Sequence, residues 1–240
     1  MSDFRKYILF VLLLFVSTSC KPKAREGGDE KKEVAMAQIE LSKEVKQVQV
    51  GAMSKDEYYP LLKDKRVAVM SNHTGMVGDE HLLDILLRDN INVTTIFSPE
   101  HGFRGGADAG ESVNSAVDEK TGVAISSLYD GKSKKPSQKS MNLFDVLIID
   151  IQDVGLRFYT YYITMARLMD ACAEHGKQMI VLDRPNPNGH YVDGPILNMK
   201  YKSGVGYLPI PIVHGMTLGE LALMINGEKW LPQGKQCKLT

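Results

Sequence analysis

The chain has 240 residues, 43% of them hydrophobic and 24% charged, with 21 Gly, 10 Pro and a formal net charge of +0. These are the proportions of an ordinary globular protein, and they exclude disorder throughout, a collagen-like repeat and a multi-pass membrane protein. The balanced charge argues against a nucleic-acid partner, because phosphate neutralisation by clustered Lys and Arg supplies most of such affinity. The 3 cysteines show neither a CxxC pair nor a zinc-ligand spacing, which excludes a disulfide scaffold and gives no reason to expect a metal or any other cofactor.

Arg5 and Lys6 precede an uncharged run over 7–19 that reaches Cys20. The run is shorter than the roughly 20 apolar residues a spanning helix needs, so residues 1–20 read as an export signal. Ser17, Thr18 and Ser19 directly before Cys20 resemble a bacterial lipobox, in which the Cys thiol is lipidated. The expected address is therefore the bacterial cell envelope, on the periplasmic or outer-membrane side, with a lipid on Cys20 as the membrane contact. Cys172 and Cys237 are then left as a candidate pair. Residues 21–46 are dense in Lys, Glu, Gly and Asp and read as a solvated tether.

From residue 47 the pattern changes to short apolar runs alternating with helix-like stretches. Residues 66–70 (RVAVM) read as a buried strand, and the leucines of 79–87 (DEHLLDILL) have helical spacing. Strands follow at 92–98, 123–129 and 145–151 (DVLIIDI). A long helix is predicted over 161–175, stopped by Gly176, and then a strand at 178–182. Thr217 opens a last helix, with Glu220 three residues on as a capping box. Nearly continuous apolar strands alternating with helices predict an α/β, Rossmann-like parallel sheet with helices on both faces, spanning 47–226.

In such sheets the ligand crevice lies beyond the carboxyl ends of the strands. Those ends carry Ser71-Asn72-His73, Ser98-Pro99-Glu100-His101-Gly102, Asp150-Ile151-Gln152-Asp153 and Asp183-Arg184-Pro185-Asn186-Pro187. Four polar clusters at successive strand ends point to a prepared polar site. The segment 102–110 (GFRGGADAG) lacks GxGxxG spacing, and neither a P-loop nor a GxSxG elbow occurs, so dinucleotide binding, phosphate-loop chemistry and a serine-hydrolase elbow are not expected.

The strings FSPEHGFRG at 97–105, DAGE at 108–111, DIQDVGLRFYT at 150–160, LDRPNP at 182–187 and HGMTLGELA at 214–222 together resemble the DUF1343 family, which includes NamZ-type exo-β-N-acetylmuramidases. The resemblance covers about 66–226 and implies release of a terminal, non-reducing N-acetylmuramic acid from peptidoglycan fragments. Members of the family continue into a second, C-terminal part, so residues 227–240 are expected to begin that region.

Cleaving a β-glycosidic bond generally needs a carboxylic acid for the leaving oxygen and a second group at the oxocarbenium-like centre. Glu100 is the first candidate for the acid, and Asp153 and Asp150 compete for the second role. Muramic acid carries a lactyl carboxylate, which a guanidinium fork matches, so Arg104, Arg157 and Arg184 are candidate partners. Asn72, His101, Gln152, Tyr161 and His214 complete the expected substrate contacts. Two readings compete with the glycosidase: a lipid-anchored module that binds cell-wall sugar without cleaving it, and a metal-dependent amidase or deacetylase.

Overall fold

The computed structural model describes residues 48–99, 102–103, 116–128 and 135–240, and the described chain forms one unit from Val48 to Thr240. Its elements are α1 (Lys55–Leu62), β1 (Val67–Ser71), a small hairpin of β2 (Met76–Val77) and β3 (Glu80–His81), α2 (Leu82–Arg88) and β4 (Val93–Ser98). They continue with β5 (Ala116–Val117), β6 (Ala124–Ser127), α3 (Gln138–Met141), β7 (Val146–Asp150), α4 (Tyr161–His175), β8 (Gln178–Val181), α5 (Leu218–Gly227) and β9 (Lys238–Leu239).

The sheet has seven strands in the order β5-β6-β4-β1-β7-β8-β9. Every pairing is parallel except β5 with β6, at the edge. Leaving that edge strand aside, the first three parallel strands in the chain build outward from β1 on one side and the last three on the other, which is the Rossmann order. The winding of the sheet reverses between the parallel neighbours β1 and β7, where Ser71 stands beside Asp150 in register.

Side-chain alternation along these strands divides the core into two layers. Ala68, Met70, Phe97, Leu147 and Ile149 pack with α4 and α5, whereas Val67, Val69, Ile96, Val146 and Ile148 pack with α1 and α2. Because both faces are covered, β1 and β7 are buried at all five positions, and this is why they read as unbroken apolar runs.

Local signals set most helix ends. Gly176 adopts φ 62° and closes α4 in the left-handed region, and Thr217 and Glu220 make the expected reciprocal capping box on α5. Other details depart from the sequence reading. Residues 80–81 belong to the hairpin and not to a helix, and α2 starts at Leu82, capped by the His81 ring, which accepts the Leu83 N–H at 3.1 Å. Helix α1 was given no element by the sequence, since Pro60 inside it is a breaker signal. Strand β9 pairs with β8, so the sheet runs past 226 to Leu239.

Candidate active site at the carboxyl edge of the sheet

The reversal between β1 and β7 opens the crevice in which doubly wound sheets hold their ligands. Its β1 side is closed by a turn. The Asn72 carboxamide oxygen accepts the Thr74 N–H at 2.9 Å and the Thr74 hydroxyl at 2.6 Å, while its Nδ2 donates to the Tyr161 hydroxyl at 2.8 Å. The Asn72 carbonyl lies 2.8 Å from His81 Nε2, and because Nδ1 already accepts a backbone N–H, Nε2 carries the proton. Gly75 fits only because it has no side chain: a Cβ there would lie 2.2 Å from Ser71 Oγ and 3.0 Å from His81 Nε2. Asn72 and Tyr161, two expected substrate contacts, thus first of all fasten the β1 turn to the start of α4.

Asp150, the last residue of β7, is fully buried on the α1 and α2 side. Arg184 reaches it from the loop after β8, with Nε donating at 2.6 Å and Nη2 at 3.1 Å to its two carboxylate oxygens, and Nη2 also donates to the Met76 carbonyl at 2.9 Å. Burial pushes the Asp150 pKa up, and the guanidinium, with His81 beside it, opposes that rise. Each partner satisfies the other, so the pair clamps the β7 and β8 loops to the hairpin.

Asp153 lies three residues on and has a different environment. It is 7% exposed, and its Oδ1 accepts the Gly155 N–H at 2.8 Å. Its Oδ2 is buried with no hydrogen-bond partner among the described residues. Desolvation raises its pKa to about 6, against the opposing pull of the Gly155, Val154 and Tyr162 amides. His214 shows the same signature: it is buried, Nδ1 accepts the Met216 N–H at 3.3 Å, and Nε2 has no partner among the described residues. Burial lowers its pKa, so the ring is neutral at pH 7 with its proton on Nε2.

These two residues hang on one stitched pair of loops. The His214 N–H donates to the Gly155 carbonyl at 3.2 Å, and Leu156 bridges to Val213. Gly155 has φ 72°, and a Cβ on it would come within 2.3 Å of Asn186 Nδ2. Asn186 donates to the Met216 carbonyl at 2.9 Å, and Asn188 donates to the Val154 carbonyl at 2.8 Å. Gln152 Nε2 joins the loops again through the Asp153 and Pro185 carbonyls at 2.7 and 2.8 Å. Arg157 Nη1 donates to the Pro195 and Ile210 carbonyls at 2.7 and 2.8 Å, which fixes the guanidinium while leaving its Nε and Nη2 edge unused among the described residues.

Glu100, His101 and Arg104 lie outside the described residues. On either side of the first two, Gly102 N–H donates to the Pro99 carbonyl at 3.2 Å and the Phe103 ring meets His81 edge-on at 5.1 Å. The structure adds residues that sequence reasoning did not single out, namely His81 and Gly75, and gives Asn186, expected only within a polar strand-end cluster, a specific place. Only the Asn-Pro-Asn run of 186–188 carried a signal, as turn chemistry. Among the described residues no group of three His, Cys, Asp or Glu side chains is arranged to hold a metal ion.

Residues 67–240 match the family described as "Exo-beta-N-acetylmuramidase NamZ, N-terminal". The chain belongs to this NamZ family. Over 175 residues it is 50% identical to the "Peptidoglycan beta-N-acetylmuramidase NamZ" of Bacillus subtilis (strain 168), a match covering 72% of this chain and 42% of that protein. Two crystal structures of DUF1343 family proteins from Bacteroides fragilis NCTC 9343 superpose on it with TM-scores of 0.72 and 0.73, at 66% and 40% identity. Each covers 80% of this chain, while the chain covers 50% and 48% of theirs. The sequence thus spans half or less of the length of these NamZ relatives. The α/β fold and the family inferred from the sequence both stand.

Proposed function

We propose that the chain carries the catalytic crevice of an exo-acting glycoside hydrolase that releases terminal, non-reducing N-acetylmuramic acid from peptidoglycan fragments. The observation that carries this reading is Asp153, a buried carboxyl with one oxygen unpartnered among the described residues and a pKa of about 6, at the switch point of the sheet. A module that only binds sugar has no use for a carboxyl held in so unfavourable a place, whereas a glycosidase needs one that titrates near its working pH.

In this reading Glu100 protonates the leaving oxygen. Asp153, ionised above about pH 6, serves the anomeric centre either as base or as the charge that stabilises the oxocarbenium-like state. Asp150 is assigned to the scaffold, because Arg184 occupies both its oxygens. The neutral His214 offers its Nε2–H to a sugar oxygen. The lactyl carboxylate goes to the Nε and Nη2 edge of Arg157, which is unused among the described residues, on a guanidinium already held in place by two carbonyls. The envelope address and lipidation of Cys20 belong to the same proposal, since the substrate class lies outside the cytoplasmic membrane.

The test is product analysis after incubating the full-length protein with a disaccharide bearing muramic acid at its non-reducing end. Free N-acetylmuramic acid supports the proposal. Glu100→Gln should lower turnover about 10²–10⁴-fold while leaving binding and thermal stability near the parent's. Binding without release by the parent protein would instead make it a sugar-binding module.

A further inference from the structure

Cys172 and Cys237 play no part in the crevice, yet they come to one place from positions about 65 residues apart in the chain. Cys172 lies in the last turn and a half of α4, and Cys237 directly precedes β9. Both thiols are free and buried in the same apolar cluster, at 0% and 4% exposure, and the backbone brings their positions together: the Lys177 N–H donates to the Cys172 carbonyl, and the next residue, Gln178, pairs in register with Lys238, which follows Cys237. Each backbone is also anchored separately. The Cys172 carbonyl accepts the Lys177 N–H at 2.9 Å, and Cys237 is gripped at both N–H and C=O by the Asn226 carboxamide, at 2.8 and 2.7 Å. Two buried cysteines brought to one place by the β8–β9 register, on separately anchored backbones, are positioned for a bridge.

We infer that Cys172 and Cys237 form a disulfide when the protein folds under oxidising conditions, and that this bridge staples β9, the outermost strand of the sheet, to α4. The reaction consumes an external disulfide such as oxidised glutathione. A thiolate attacks it, giving a mixed disulfide and one glutathione thiol, and the second cysteine then displaces the other glutathione, so two thiols are oxidised and one disulfide is reduced. Cys237, the more exposed of the two, is the attacking group. Because both groups become buried, the bridge closes during folding and is afterwards shielded from reductant. It closes a loop of about 65 residues around β8 and α5.

The experiment is to refold the full chain from denaturant in mixed oxidised and reduced glutathione, alkylate the remaining thiols, digest, and map the peptides by mass spectrometry. The expected result is one species in which the Cys172 and Cys237 peptides are joined and separate on reduction, with Tm about 5–15 °C above that of protein refolded under reductant. In Cys237→Ala that redox-dependent difference in Tm should vanish. Alkylation of both cysteines after oxidising refolding, or their capture only by Cys20 or glutathione, would overturn the inference. So would a Tm difference that persists in Cys237→Ala.

Discussion

Asp150 and Asp153 are the same residue type, three positions apart, both buried at the carboxyl edge of the same strand, and their surroundings differ in kind. Asp150 has a guanidinium on both oxygens, whereas Asp153 has one full hydrogen bond, from the Gly155 N–H, with the Val154 and Tyr162 amides nearby, and no hydrogen-bond partner among the described residues on its other oxygen. The first arrangement joins three loops and gives each carboxylate oxygen a charged partner. The second keeps a carboxyl desolvated, which costs stability and yields a group that can gain or lose a proton near neutrality. The contrast teaches that burial alone does not mark a working residue. What marks it is burial without satisfaction, in a crevice where a substrate can supply the missing partner.

Substitution should separate the two roles. The largest effect expected is on catalysis: Asp153→Asn should lower turnover of a muramic-acid-terminated disaccharide about 10²–10⁴-fold with the protein still folded. Steady-state kinetics beside a circular-dichroism melt would show it, and an active Asp153→Asn would dissolve the contrast. Next is the clamp. Arg184→Ala strands a buried carboxylate and should cost about 3–5 kcal/mol, read by urea denaturation. Replacing both partners, as in Arg184→Met with Asp150→Leu, should recover a large part of that loss, because no charge is then left unpaired.

Smaller effects sharpen the edges of the picture. Arg157→Lys keeps the charge but loses the planar fork, so preference for muramic acid over glucosamine at the terminal position should fall about tenfold to a hundredfold in competition assays. Tyr161→Phe deprives Asn72 Nδ2 of its acceptor and should destabilise the fold by about 1–3 kcal/mol in a melt. An unchanged melt would mean that the β1 turn stands without that tie.

The parallel sheet was legible because VAVM, VLIID and QMIV are buried on two faces, which leaves no alternation to confuse the reading. The hairpin at Met76–Val77 and Glu80–His81 was not, since strands of two residues carry no period, and β9 escaped for the same reason. At the site, the polar strand ends and the family strings brought Asp150, Asp153, Arg184 and His214 into view together. Their division of labour was not legible, because it depends on contacts that local sequence does not encode. Arg184 crosses from the next strand's loop to Asp150, and His214 reaches the Gly155 carbonyl from the segment before α5. Sequence left Asp153 and Asp150 competing for one role and says nothing about which of the two finds a cation.

Asp153 is held against its own solvation, and that is measurable without substrate. A carboxyl whose pKa is about 6 in the folded protein and 3.8 as its ordinary value binds more protons folded than unfolded between about pH 4 and 6. Stability therefore falls as pH rises through that window, and the penalty is complete above it. Asn cannot ionise and can still accept the Gly155 N–H. Denaturant titrations of the parent and Asp153→Asn from pH 3.5 to 8 should show the variant more stable by up to about 3 kcal/mol above pH 6.5, with the advantage gone below pH 4. A variant less stable than the parent by the same amount at every pH would contradict the account and make Asp153 a structural residue like Asp150.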